Sequence, residues 1–289
     1  MTTSSVFSVY LTGHEKRDGY LKAFAKGAGS KAYEPGATSR GGVAVSWGLQ
    51  ENLGRLLACK AENLPFVFLD HAYFNRGYEH NARVCVNGVH QNLLLDVPED
   101  RKKMFGVEAL PWRRGREILV IVPSERVCLV LGVSKFWAQE KAKELKKYTD
   151  RPIRLKFKGD GLLGELRDCH AVVSLASVAE VEAVKYGVPA FTSRWSPASQ
   201  VAERDFSKIE SPIYPDREMW LRTLAYSTWS AGELADGTTT RHLQRVLNGE
   251  LLNAGDSCWI RPGPPSNDAR GSGGLHQHGP DHSGDEGRS

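Results

Sequence analysis

The stretch that decides the fold is Ala171-Val-Val-Ser-Leu-Ala-Ser-Val-Ala-Glu-Val-Glu-Ala-Val-Lys-Tyr-Gly-Val-Pro-Ala-Phe-Thr192. Ala171–Leu175 is a short, nearly unbroken apolar run rich in β-branched residues, the mark of a strand covered on both faces. A turn of small residues through Ser177 follows, then helical spacing from Val178 to Tyr186, a stop at Gly187 and a second strand over Pro189–Thr192. Strand, helix and strand in this order predict a parallel crossover unit, and open parallel sheets bind ligands beyond the carboxyl ends of their strands. That end delivers Ser174 and Ser177 to a helix start, whose free N–H groups and positive dipole end attract an anion. Small side chains let a phosphate approach Ser174, Ser177 and the Val178 amide. Glu180 and Glu182 fall in the first turns, where a carboxylate accepts hydrogen bonds from ribose hydroxyls. The same spelling fits a purely structural device, because Ser177-x-x-Glu180 is also a capping box.

Working outward, the pattern repeats on both sides. Glu117–Val122, Ile153–Phe157 and Ala171–Leu175 read as strands, separated by helices at Phe136–Tyr148 and Leu162–Cys169. Further upstream, Ser5–Leu11, Val43–Leu49, Phe66–Asp70 and Arg83–Val86 read as strands, with helices at Glu15–Lys26 and Leu53–Ala61. The polar, proline-bearing segment Asp96–Trp112 looks like a connection between lobes. The expected architecture is α/β, with two Rossmann-like lobes facing a cleft in a GT-B-like arrangement: residues 1–112, then 113–252. Pro215 to Asn248 reads as mostly helical. In residues 253–289 Pro, Gly, Ser, Asp and His dominate and hydrophobes nearly vanish, so a disordered tail is expected there. Its His276, His278 and His282 are open to adventitious metal binding without a functional role.

Composition sets the broad class. The 289 residues are 40% hydrophobic and 25% charged, ordinary for a soluble globular chain long enough for two domains. No run approaches the roughly 18 apolar residues of a membrane span, and the first residues lack a secretion-signal pattern, which together predict a cytoplasmic protein without membrane contact. Five cysteines, odd in number and never spaced C-x-x-C, argue for reduced thiols and against a zinc site. The formal charge is only +4, yet residues 101–158 hold sixteen Lys or Arg against six Asp or Glu. Such an excess marks either a polyanionic partner or a solvated helix face.

The pattern Ser174, Ser177, Glu182, Ala183, Gly187, Pro189 resembles the donor-binding segment of GT-B glycosyltransferases and sugar-nucleotide epimerases. The resemblance spans about residues 115–250. It implies a nucleotide-sugar donor, a UDP-sugar, lying against Ser174, Ser177, Val178, Glu180 and Glu182. Lys156 and Lys158 alternate at a strand end and are candidates to neutralise its phosphates. No Asp-x-Asp pair offers a metal, and no cofactor is expected beyond the donor. The chain as a whole is also similar to small bacteriophage-encoded glycosyltransferases that decorate modified DNA bases, which implies double-stranded DNA carrying hydroxymethylated pyrimidines as acceptor.

The remaining candidates cluster in the first half. Asp70-His71-Ala-Tyr73-Phe74-Asn75-Arg76 closes a strand with groups that are costly to bury without use, and Arg83 follows. Inverting transfer needs a base for the acceptor hydroxyl, a role open to Asp70, His71 or His14 after the first strand. Tyr73, Phe74 and Trp195 are candidates to stack an acceptor base, and Arg76 and Arg83 to hold acceptor phosphate. Alternatives stay open: a polysaccharide or lipid-linked acceptor, a sugar-nucleotide epimerase, a non-catalytic nucleic-acid-binding protein, or a structural network at the lobe interface. P-loop, dinucleotide, zinc-protease and α/β-hydrolase motifs are absent.

Overall fold

The computed structural model describes residues 6–38, 41–75, 80–159 and 161–252. In chain order the elements are β1 (Phe7–Tyr10), α1 (Glu15–Gly27), β2 (Ala32–Tyr33), β3 (Val43–Trp47), α2 (Leu53–Ala61), β4 (Phe66–His71), β5 (Ala82–Val86) and α3 (Asp100–Met104). Then come β6 (Glu117–Ile121), α4 (Glu125–Leu131), α5 (Trp137–Leu145), β7 (Ile153–Lys156), α6 (Leu162–Glu165), β8 (Cys169–Ser174), α7 (Val178–Lys185) and β9 (Ala190–Thr192). The chain ends through α8 (Glu218–Ala225), β10 (Thr228–Trp229), α9 (Ala231–Ala235) and α10 (Thr238–Leu247).

The strands form two sheets, ordered β10-β5-β4-β3-β1-β2 and β7-β6-β8-β9. The second is parallel throughout. In the first, β1 to β4 run parallel, whereas β5 lies antiparallel to both β4 and β10. Both faces of each sheet are covered, which is why β3 and β8 are buried at every position. Alternate residues Val9, Val45, Trp47 and Val67 pack beneath α1 and α10, while Tyr10, Ala44 and Phe68 pack on Leu56 and Cys59 of α2. In the second sheet Ile118, Val120 and Val173 meet Ala138 and Leu145 of α5, and Leu119, Ile121 and Val172 meet Ala183 of α7. Two Rossmann-like α/β lobes result, as the alternation of strands and helices predicts.

The chain does not stay in the second lobe to residue 252. It returns: β10 pairs with β5 of the first sheet, and α9 packs on α1. The expected boundary is therefore corrected, and Pro215–Asn248 holds a strand as well as helices. Two strand residues, Thr228 and Trp229, are too few to show a period, but the first sheet needs Trp229, Leu234 and Leu243 to cover its face. Helix α4 also went unread. It starts where Ser124 Oγ accepts the Val127 N–H at 3.4 Å and stops at Gly132, whose φ is 68°.

Cys59, Cys85, Cys128 and Cys169 are free and buried, as the spacing suggests. Cys258, the histidines after residue 252 and the expected tail lie outside the described residues. No helix among the described residues is long and apolar enough to cross a membrane.

Gly187, read from sequence as a helix stop, has φ +80°, and a Cβ there would sit 2.0 Å from Pro111 O. The Arg113 N–H also donates to Gly187 O at 2.8 Å, so the inter-lobe connection is seated on this turn. Gly187→Ala is expected to lower unfolding free energy by about 2–4 kcal/mol in urea titrations. A loss under about 0.5 kcal/mol would mean that the connection shifts freely.

Candidate functional site

The carboxyl ends of β8 and β9 release two loops that lie side by side. Ser193 Oγ donates to Leu175 O at 2.5 Å and accepts the Trp195 N–H at 3.2 Å. The first lobe reaches the loop after β9: Asn92 Nδ2 donates to Arg194 O at 3.1 Å, and Gln200 Nε2 donates to Asn92 O at 3.0 Å. The Lys60 ammonium, at the end of α2, stands 5.6 Å from the centre of the Trp195 ring, and the Arg194 guanidinium 4.4 Å from it. Desolvation, and then the Arg194 cation, hold Lys60 below the usual lysine range. Two like charges from opposite lobes thus share one ring, an arrangement that a bound anion relieves.

The start of α7 is organised from within. Ser177 is its N-cap, but its Oγ accepts from Ala179 N at 3.2 Å, one residue short of a full capping box. The Glu180 N–H goes to Ser177 O at 3.1 Å. The Glu180 carboxyl turns inward, fully buried, where Oε1 meets Thr192 and Oε2 has no hydrogen-bond partner. Thr192 Oγ1 lies 3.0 Å from Ser174 O and 2.9 Å from Glu180 Oε1. Thr192 has one proton to give, so a protonated Glu180 completes this network better than an ionised one. Burial agrees, pushing the carboxyl up to about 8.

Two donor contacts expected from sequence are therefore corrected. Ser174, 1% exposed, and Glu180, 0% exposed, brace the turn from below and do not face a ligand. The outer side of the α7 start is left with half-buried Ser177, the Val178 N–H and half-buried Glu182 one turn on. Lys156 lies 4.0 Å from Glu165 and ends β7, with exposed Lys158 two residues on, and β6 separates that strand from β8. That separation is two strand spacings, about 10 Å.

Several acceptor-side candidates also belong to the interior. Tyr73 and Phe74 are buried and pack with Val181 and Val184 of α7 and Trp220 of α8, so neither ring offers a stacking face. Arg83 is buried: Nη2 pairs with Asp70 Oδ2 at 2.8 Å, Nη1 donates to His71 O at 2.7 Å and Nε to Val89 O at 3.2 Å. Burial opposes its charge, but Asp70 holds it above the ordinary arginine value. Arg83 is thus an internal brace, not a phosphate ligand, and Asp70, 27% exposed, is committed to it. His71 meets the Trp47 ring edge-on at 5.9 Å, and His14 is exposed at the N-cap of α1. Trp195 is half-buried in the loop after β9. Arg76 lies outside the described residues.

The basic stretch divides. Arg101, Lys102, Lys103, Arg116, Lys141, Arg151, Arg154 and Lys156 each meet a carboxylate within 4.0 Å. Arg114, Arg126, Lys135, Lys143, Lys146 and Lys147 are exposed. Sequence reasoning missed Lys60, because a lysine in the last helical turn already has a reason to be there, complementing the helix dipole.

The Glu180 network yields a pH prediction. A carboxyl whose folded pKa of about 8 exceeds its unfolded value of 4.5 adds stability that is whole below about 4.5 and is lost as pH rises through about 8. Glu180→Gln removes that slope. Thermal midpoints measured from pH 5 to 9 should fall more for the parent than for Glu180→Gln, with the gap widening toward alkaline pH. Parallel curves would show that the buried carboxyl is already ionised at neutrality.

No family model and no curated protein matches the chain. Among solved structures it is similar to KpsC of Thermosulfurimonas dismutans, a beta Kdo 2,4 transferase. The likeness has 11% identity and a TM-score of 0.48, and it covers 78% of this chain and 91% of that one.

Proposed function

We propose that the protein transfers a glycosyl group from a nucleotide sugar, a UDP-sugar, to an acceptor hydroxyl, with the donor on the second lobe and the acceptor on the first. The observation that carries this reading is the meeting of Lys60 and Arg194, from opposite lobes, around Trp195 beside the opening of α7. Glycosyl transfer leaves negative charge on a departing nucleoside diphosphate. Cations held close together stabilise that charge where it develops, and a helix N-terminus adds to them. The donor contacts are assigned to Ser177, Val178, Glu182, Arg194 and Lys60. His14 and His71 are the candidate bases, and Asp70 acts through Arg83 as a brace.

Within this reading the acceptor to test first is a hydroxymethylated pyrimidine in double-stranded DNA. With Tyr73 and Phe74 in the interior, an extruded base would stack on Trp195. The exposed lysines of α5 and its C-terminal end would then meet the phosphate backbone.

The test incubates the protein with UDP-, GDP- and CMP-sugars, each offered hydroxymethyluracil DNA, hydroxymethylcytosine DNA or an oligosaccharide, followed by mass spectrometry. One donor and acceptor pair should gain one sugar mass. Lys60→Ala and Arg194→Ala should each lower kcat/KM by about 10- to 100-fold. No mass gain on any acceptor, together with no nucleotide binding by calorimetry, would end the reading.

A further inference from the structure

We infer that Asn92 is a positioning residue for the nucleotide site: from the first lobe it grips both ends of the second-lobe loop 194–200 and so fixes where Arg194 and Trp195 stand against Lys60. The inference rests on the nucleotide-sugar reading above.

Asn92 is half-buried on the segment that leaves β5, where Val89 packs into the first-lobe core beside Leu56 and the Gln91 N–H donates to the Tyr73 hydroxyl at 2.9 Å. The residue is therefore presented from a fixed base. Its side chain and its backbone then hold different ends of the loop: Nδ2 donates to Arg194 O at 3.1 Å, while its own carbonyl accepts from Gln200 Nε2 at 3.0 Å and from Ser199 Oγ at 3.5 Å. The middle of the loop is anchored from its own lobe. There the Ala198 N–H donates to Ser196 Oγ at 2.9 Å, Pro197 O accepts from Trp220 Nε1 of α8 at 2.7 Å, and Ser196, Pro197 and Ala198 are all buried.

Arg194 and Trp195 share one peptide unit, which is planar with its C=O and N–H pointing opposite ways. Its carbonyl is held by Asn92 of the first lobe, and its N–H by Ser193 Oγ of the second at 3.2 Å. The plane is clamped on both sides, one clamp from each lobe. Because it joins the two residues whose side chains stack, guanidinium 4.4 Å from ring centre, its orientation decides where both of them point. The cation opposite is fixed the other way round. Lys60 of the first lobe donates from Nζ to Val130 O of α4, the helix that follows β6 of the second sheet, and Val130 packs with Leu56 and Cys59 of α2. Each lobe thus sets the other's cation beside Trp195, and separating the lobes would release both.

The experiment titrates the full chain with UDP, GDP and CMP by calorimetry and follows amide hydrogen exchange by mass spectrometry. For whichever nucleotide binds, Asn92→Ala should weaken affinity about tenfold. Asn92→Gln, which keeps the amide donor on a longer stem, should recover part of it, and Ser193→Ala, which frees the other side of the same plane, should lose affinity a few-fold. In Asn92→Ala, exchange over residues 193–200 should quicken while β3 and β8 stay protected, a pattern that general destabilisation would not give. Parent-like affinity and exchange in Asn92→Ala overturn the inference, as does a loss accompanied by quicker exchange throughout both sheets. Should that variant fail to fold, parent-like affinity and exchange in Ser193→Ala overturn it. If the parent binds none of the three nucleotides, the nucleotide reading fails, and the exchange data alone decide whether Asn92 holds the loop.

Discussion

A buried guanidinium holds the two halves of this molecule in register. Arg101 leaves α3, in the outgoing connection between lobes, and lies 3.9 Å over the Trp229 ring of the returning segment. It donates to Thr228 O at 2.5 Å and to Ala225 O at 3.3 Å, and it pairs with Glu233. Neighbouring Lys102 reaches Glu218 of α8 at 2.8 Å. A buried cation that lost such partners would cost about 3–5 kcal/mol, so the outgoing and returning segments are obliged to lie together.

From there the same logic passes to the site. Buried polar groups demand partners, and here distant parts of the chain supply many of them. Glu180 is the clearest case. Held neutral, it lies under the α7 turn without placing a negative charge there, which leaves the helix dipole to act outward. An ionised carboxylate in the same place would oppose any anion approaching Ser177.

The core of the second lobe was legible because its signals are local. The unbroken strand Ala171–Leu175, the N-cap Ser177 and the stop at Gly187 each depend on a few neighbouring residues, and all three stand where spacing put them. The Asp70–Arg83 cluster was misread for the opposite reason. A row of aromatic and charged side chains at a strand end looks exposed until α7 and α8, a hundred or more residues later, close over Tyr73 and Phe74. Arg194 and Trp195 stood out because they follow the Gly-x-Pro turn. Lys60 did not, since its meaning comes from a loop in the other lobe. Local chemistry is written in the sequence, whereas burial by distant segments is not.

The polypeptide crosses between lobes twice, once through α3 and once through α8 on its way to β10. A single tether would let one lobe swivel about any direction. Two connections tied together at Arg101 leave one easy axis, passing along the pair, about which the halves can swing. Motion of that kind would displace the parts of each lobe farthest from the axis most and the residues around Trp229 least.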